Sequence, residues 1–341
     1  MRTTRMRLGL VAIGLLLMTL ALTCAVSVAS AAGRPQVAVV LGPGGSSCAN
    51  TLRLCEQIRS ALSRSTVRGR ALEPTFRENL ADTLALLARQ GYEAVTIWGL
   101  QADPPVAAVA RRYPEVRFAL IDSSRAEVLN APPNIQGIVL RTREAAFLAG
   151  WLAAKLEARR PGRDTVGVVG GIAIPQVTEF VHGFVAGAKR ATPRVKVLVD
   201  YSDDFLDASK CAALARRQIA RGAGVVFNVA GGCGLGTMKA AADAGVWAVG
   251  VDSDQSFLGP HVLTSVLKSF EAGFAEVLRQ VEAKRVRTGR DTVLTMRDGA
   301  AGLGRISPKV PRSLAAQVEE LRRRIVAGTV RVPGIAARRA E

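Results

Sequence analysis

Hydrophobic positions along the chain cluster into short, nearly continuous runs rather than alternating ones. They fall at 37–41, 94–97, 118–121, 135–140, 166–169, 195–199, 225–229, 246–251 and 262–267. Runs this short are poor helices. Their lack of period-two alternation predicts strands buried on both faces, as in a parallel sheet. Helical patterns at 76–89, 144–157, 208–221 and 237–244 supply crossovers between them. Strand and helix alternating from 36 to about 330 is the pattern of a doubly wound α/β protein, and 341 residues require two such sheets. No low-complexity linker divides the halves. The strongest break is Arg159-Arg160-Pro161-Gly162-Arg163, so the two lobes are expected to join through chain crossings that serve as a hinge. Residues 335–341 are small and basic and are expected to fray.

The first 32 residues have another logic. Arg2, Arg5 and Arg7 precede an apolar stretch from Leu8 to Leu22, and Ala29-Ser30-Ala31 or Ser30-Ala31-Ala32 offers the small residues of a signal-peptidase site. This reads as a cleaved export signal. A retained anchor and a lipid attachment at Cys24 are the alternatives, although Thr23 is larger than the residue that usually precedes a lipidated cysteine. After residue 32 no apolar run reaches the ~18 to 20 residues of a spanning helix.

Export makes disulfides possible. Apart from Cys24 the chain holds Cys48, Cys55, Cys211 and Cys233, which allow three pairings. They have no metal-ligand spacing, and the two histidines, His182 and His261, lie far from them in sequence, so no metal or other cofactor is expected. The formal charge is +18, or +15 without the leader arginines. Its cations are scattered and mostly arginine, and aromatics are only 5 % of the chain. Stacking platforms for single-stranded nucleic acid need aromatics. The charge therefore reads as solvated surface with some attraction to anionic lipid head groups, and no nucleic-acid partner is expected.

In an open parallel sheet, ligands bind beyond the carboxyl ends of the strands. Those ends here read Gly42-Pro43-Gly44-Gly45-Ser46-Ser47, Trp98-Gly99, Asp122-Ser123-Ser124, Gly170-Gly171, Asp200 to Phe205, Ala230-Gly231-Gly232-Cys233-Gly234, Asp252-Ser253-Asp254-Gln255, and Lys268. Each alone is an ordinary turn or helix cap. Together they make a polar rim suited to vicinal hydroxyls. Neither a dinucleotide fingerprint nor a P-loop lysine occurs. No histidine stands beside a nucleophile, so no catalytic residue is assigned and the chain is not expected to be an enzyme. Asp203 and Asp204 read as a helix-start cluster and His182 as helix surface or core.

Several of these segments, Gly167-Val168-Val169-Gly170-Gly171, 180–189, Ala230 to Gly234 and Gly250-Val251-Asp252-Ser253-Asp254-Gln255-Ser256, resemble the basic membrane protein family, the purine-nucleoside receptor-like solute-binding proteins of ABC importers. Glu144 with Phe147-Leu148-Ala149-Gly150, Leu263-Thr264-Ser265 and Val332-Pro333 extend the resemblance over residues 36 to 333. It implies a type I periplasmic-binding-protein fold, with lobe one at 35–141 plus about 265–290 and lobe two at 142–264 plus about 291–334. It implies a monomer that closes on a small nucleoside-like ligand and hands it to an ABC permease. Carried over by residue, Asp252 and Lys268 hold ribose, Gly231 and Gly232 lend backbone, Phe205 stacks on the base and Asp122 faces it. The first loop departs from the family's D-x-S-F-N-like run. It reads Ser46-Ser47-Cys48-Ala49-Asn50-Thr51-Leu52, so Asn50 alone replaces the amide and Trp98 is the candidate second ring. A ligand sensor without transport and a nucleoside-processing enzyme are the alternative functions.

Two disulfides are expected. Cys48 and Cys55 lie seven residues apart across a loop-to-helix entry, and Cys211 lies early in the helix after the Phe205 loop while Cys233 lies in the next strand's loop, both near the crevice. The leader generates the first test. N-terminal sequencing of exported protein should show cleavage after Ala31 or Ala32. A mature chain starting at lipidated Cys24, or at Met1, overturns that expectation.

Overall fold

The computed structural model describes residues 26–27, 36–41, 52–72, 80–98, 104–161 and 164–334, and of residues 26–27, 52–55 and 98 the backbone alone. The leader before Val26, Asn50, the Cys48–Cys55 pairing, the Trp98 side chain and the tail after 334 lie outside the described residues.

Along the chain the strands are β1 (Val26–Ser27), β2 (Val37–Leu41), β3 (Gly69–Leu72), β4 (Ala94–Trp98), β5 (Arg117–Ile121), β6 (Ile135–Leu140), β7 (Thr165–Gly170), β8 (Lys196–Tyr201), β9 (Ala223–Val229), β10 (Trp247–Asp252), β11 (Val262–Lys268), β12 (Asp291–Leu294) and β13 (Ala301–Leu303). The helices are α1 (Leu52–Ser63), α2 (Leu80–Arg89), α3 (Pro105–Arg112), α4 (Arg143–Glu157), α5 (Pro175–Ala191), α6 (Ala208–Ala220), α7 (Gly234–Asp243), α8 (Phe270–Glu282) and α9 (Arg312–Val326). The first sheet runs β1-β3-β2-β4-β5-β6-β12 and the second β13-β11-β10-β9-β7-β8. Within them only the β1–β3 and β11–β13 pairs are antiparallel. This is the α/β architecture of two mostly parallel sheets that the continuous apolar runs predict. β2 and β9 are buried along their whole length, which is why no alternation marks them.

Helices cover both faces of each sheet. In the first, α1 and α8 pack on one face and α2 and α3 on the other. In the second, α4, α5 and α9 pack on one face and α6 and α7 on the other. The chain passes between the lobes three times, after β6, after β11 and after β12. β12 pairs in parallel with β6 of the first sheet, and all of β11 lies in the second. The second and third crossings therefore fall at Ser269 and Thr295. The expected boundaries, about 264/265 and 290/291, stand a few residues too early. A four-residue strand reading Asp-Thr-Val-Leu carries no apolar run to announce it.

The helix pair α4–α5 packs backbone to backbone. A Cβ on Gly187 would lie 1.9 Å from the Phe147 carbonyl oxygen, and one on Gly150 would lie 2.0 Å from that of Phe184. Gly183 meets the Arg143 carbonyl in the same way at 2.3 Å. α4 is buried on almost every side, with ten of its fifteen residues inside, so it cannot retreat to make room. Overpacking a well-filled core usually costs about 1 to 3 kcal/mol, occasionally more. Gly187→Ala should reach the upper end of that range, read from urea unfolding. Gly302→Ala, where a Cβ meets nothing within 4 Å, is the control and should be close to neutral. Equal effects would show that the helix contact is not tight.

Candidate functional site

The strand ends of the two sheets bring a set of charged groups together around one lysine. Lys268 ends β11 and is 8 % exposed. Its Nζ donates to Asp122 Oδ2 at 2.6 Å. The ammonium also sits 4.8 Å from the Phe180 ring centre and 5.7 Å from that of Phe270. Phe180 belongs to α5, Phe270 opens α8, and Asp122 comes directly after β5, so both lobes contribute to the cage.

The two partners of this ion pair respond differently to burial. For Asp122, desolvation outweighs the attraction of Lys268 and pushes its carboxyl up to about 6, with Asp252 and Glu127 adding repulsion. For Lys268, burial works against the charged ammonium. The carboxylates of Asp122, Asp252 and Glu179 outweigh it, and the pKa stands above the ordinary lysine value. Burial raises the carboxyl and opposes the ammonium, while the neighbouring acids push both groups upward, repelling the Asp122 carboxylate and attracting the Lys268 ammonium.

Asp122, Asp203 and Asp252 share a backbone peculiarity. Their φ angles are 63°, 53° and 62°. The left-handed region costs a residue with a Cβ about 1 kcal/mol or more, and such strain concentrates at functional sites. All three stand just beyond a strand or end one at its carboxyl side. Gly231, beyond β9, adopts the same conformation at φ 55° without the penalty.

The motif after β10 divides its two carboxylates between separate tasks. Asp254 turns inward: its Oδ1 accepts from the Ser256 amide at 3.0 Å and its Oδ2 from that of Arg305 at 3.3 Å. Gln255 stitches neighbouring strand ends, donating its amide to Ser265 Oγ at 2.9 Å and accepting from buried Asn228 and from the Val251 amide. Asp252, by contrast, is exposed, and among the described residues its carboxylate has no hydrogen-bond partner.

The β8 and β9 loops are tied to each other. Cys211 on α6 and Cys233 at the start of α7 form a disulfide, as expected, and both are fully buried. The Cys233 amide donates to the Phe205 carbonyl at 2.9 Å. The Phe205 ring lies over Gly171, where a Cβ would sit 2.4 Å from a ring carbon. β7 has β8 on one side and β9 on the other, so Gly171 stands at the topological switch point of the second sheet, where ligand crevices form. Gly231 and Gly232 are exposed beside Phe205, Gly231 against its ring and Gly232 against its carbonyl. Asp204 accepts from the Leu206 and Asp207 amides and from Lys210, which hold its carboxyl well below the usual range. It is a helix-start residue, and Asp207 caps α6.

Four participants escape a reading of strand ends alone. Phe180 and Phe270 lie in helices, where an aromatic reads as core. Gln176, in the first turn of α5, reaches to the other lobe and donates to Glu127 Oε2 at 2.7 Å and to Ser123 Oγ at 3.3 Å. Glu127 in turn accepts from the Ser124 amide. Only the place of Gln176 directly after Pro175, at a helix start facing a crevice, signals it in sequence. His182 is exposed on α5. No group of three or more acids, histidines or cysteines able to hold a metal occurs among the described residues.

The family model described as "ABC transporter substrate-binding protein PnrA-like" matches residues 54–336. The chain belongs to this PnrA-like family. Basic membrane protein B of Borrelia garinii subsp. bavariensis is 28 % identical over 272 residues, covering 73 % of this chain and 76 % of that protein. The ABC transporter nucleoside-binding protein BmpA of Lactococcus lactis subsp. cremoris is 28 % identical over 235 residues, 63 % of this chain and 64 % of that one. A solute-binding protein of Aeropyrum pernix K1 superposes with a TM-score of 0.69 at 22 % identity, covering 89 % of this chain and 95 % of that one. That likeness speaks for the fold alone. Proteins of the PnrA-like family are substrate-binding proteins of ABC transporters.

The cage around Lys268 predicts a pH-dependent stability. Asp122 has a native pKa above its unfolded one, so the native state holds the extra proton, and the stability it contributes falls as pH rises from about 4 to about 6. Lys268 is raised, so its contribution persists through neutral pH and is lost only as pH climbs through its native pKa. Lys268→Met leaves Asp122 buried without a countercharge. It should cost about 3 to 5 kcal/mol at pH 7.5 and markedly less at pH 5, where Asp122 takes up a proton. Urea unfolding at the two pH values measures this, and an equal loss at both shows that Asp122 does not feel the ammonium.

Proposed function

We propose that this protein is the extracytoplasmic solute-binding component of an ABC importer, and that it closes its two lobes on a nucleoside or a similarly hydroxylated molecule. One observation carries the reading. Asp252 is held in a strained conformation at a strand end, exposed and without a hydrogen-bond partner among the described residues, beside a buried lysine, while its motif neighbours Asp254 and Gln255 are consumed by structure. A carboxylate so placed is fit to accept two hydroxyl hydrogen bonds from a ribose. The Lactococcus relative is named a nucleoside-binding protein, which supports the same ligand class.

In this reading Asp252 and Lys268 hold the sugar, and exposed Gly231 and Gly232 let it approach the backbone. Phe205, lying over the switch-point glycine, offers a ring to the base, and Asp122 faces that base. Asn50 and Trp98 complete the site from lobe one. The working form is an exported monomer that delivers its ligand to a permease at the membrane, with its leader removed or Cys24 lipidated. It binds without chemistry and recognises no nucleic acid.

Calorimetry with adenosine, guanosine, inosine and simple sugars tests the proposal. The wild type should bind at least one nucleoside. A hydrogen bond to a charged group is worth about 1.5 to 3 kcal/mol, so Asp252→Ala should weaken binding roughly 10- to 150-fold. Loss of a base-stacking ring is worth about 1 to 3 kcal/mol, so Phe205→Ala should weaken it to a similar extent. If no nucleoside binds, the ligand class is wrong. If one binds and neither variant is weakened, the residue assignment is wrong and the ligand class stands.

A further inference from the structure

The pole of the first lobe opposite its strand carboxyl ends carries a preorganised cationic loop that the ligand site does not use. Lys284, Arg285, Arg287 and Arg290 lie between α8 and β12, and all four are exposed. The backbone beneath them is pinned. Lys284 takes a left-handed φ of 51° just past the end of α8. The Arg285 amide donates to the Gln280 carbonyl at 2.8 Å, and the Arg287 amide to the Gln280 side chain at 3.0 Å. Gln280 is 2 % exposed, so a buried side chain is committed to shaping this loop. Gly289 then donates to the Ile135 carbonyl at 3.0 Å. Neighbouring acids are engaged elsewhere: Glu282 accepts from Ser65 and Thr66, and Asp291 from Ser124 and the Arg125 amide.

Against this loop lies the turn that enters β6. A Cβ on Gly289 would be 3.4 Å from the Pro133 carbonyl oxygen, and Arg111, at the end of α3, donates to the Asn130 carbonyl at 3.3 Å. Leu129 in the same turn is 75 % exposed. A solvent-exposed leucine in a turn packed against a cationic loop is the chemistry of an interfacial membrane contact. The cations meet anionic head groups, and the apolar side chain enters the acyl boundary. The geometry points to this pole of lobe one as a docking surface for an anionic phospholipid bilayer.

Co-sedimentation of the exported protein with vesicles of about 30 % phosphatidylglycerol in phosphatidylcholine, against vesicles of phosphatidylcholine alone, tests this. Wild type should bind only the anionic vesicles, with binding falling as salt rises. The variant Lys284→Ser/Arg285→Ser/Arg287→Ser should lose at least about tenfold in partitioning, since each cation at an anionic surface is worth roughly fivefold. Leu129→Ser should weaken it by a smaller factor. Arg312→Ser/Arg322→Ser/Arg323→Ser, which removes the same charge from α9, should change it less than about twofold. Equal losses in the two triple variants would reduce the effect to net charge and overturn the proposal. Binding to a DNA duplex as strong as to anionic vesicles at the same salt would overturn it as well, by showing an unspecific polyanion site.

Discussion

A buried ammonium sets the terms for the rest of the molecule. An unpaired charge in a protein interior costs so much that it is normally neutralised or surrounded. Lys268 stays charged because Asp122 meets it from the first lobe and aromatic faces from both lobes line its remaining sides. It stands at the end of β11, one residue before the chain crosses between lobes. The lobes therefore cannot separate at this point without exposing a lysine that prefers its cage, or parting a buried aspartate from its cation. The Gln176 contacts to Ser123 and Glu127 join the same two lobes a short distance away in sequence from Asp122. These contacts between the lobes are polar ones that water can replace, while the α4–α5 contact inside lobe two is backbone against backbone.

Rigidity is distributed in the same spirit around the candidate ligand loops of lobe two. The Cys211–Cys233 bridge, the Cys233 amide on the Phe205 carbonyl, and the Asn228–Gln255–Ser265 chain tie the ends of β8, β9, β10 and β11 to one another. Against that framework Asp203 and Asp252 hold left-handed backbone angles. Strain of this kind survives only where the surroundings over-determine it, and the stitching supplies that determination. A site held this way loses little conformational freedom on binding, which leaves more of each contact as affinity.

Much of this is legible in the chain. Continuous apolar runs mark the parallel strands, and the residues directly after each strand place Asp122, Asp252, Lys268 and the 230–234 loop on one rim. The Cys211–Cys233 pairing is readable from a helix start and a loop on the same ligand side. The failures have physical reasons. β3, β12 and β13 are short edge or crossing strands whose burial is partial, so hydrophobic pattern carries no trace of them, and the lobe boundaries slip accordingly. Phe180 and Phe270 stand at helical positions, where a ring facing core and a ring facing a cation look alike in one dimension. The Phe147-to-Gly150 segment is recognisable as a motif, yet its reason, the carbonyl of Phe147 pressed on Gly187, exists only once two helices are packed.

A protein with a formal charge of +18 would be expected to favour anions, and at long range its field does attract them. The cage reverses that preference locally. Around one ammonium, already matched by Asp122, stand the carboxylates of Asp252, Glu127 and Glu179, all of which act electrostatically on the pair. A phosphate entering there would have to compete with Asp122 for the ammonium and face the exposed Asp252 carboxylate. A neutral hydroxylated ligand faces neither cost and gives Asp252 the donors it lacks. Under the proposed reading, the site therefore discriminates nucleosides from nucleotides by charge rather than by size, and the basic exterior does not compromise that choice. The two fields act at different ranges: the surface charge is screened within about 8 Å of solvent at physiological salt, whereas the Lys268–Asp122 pair is largely shielded from solvent, where screening is weak.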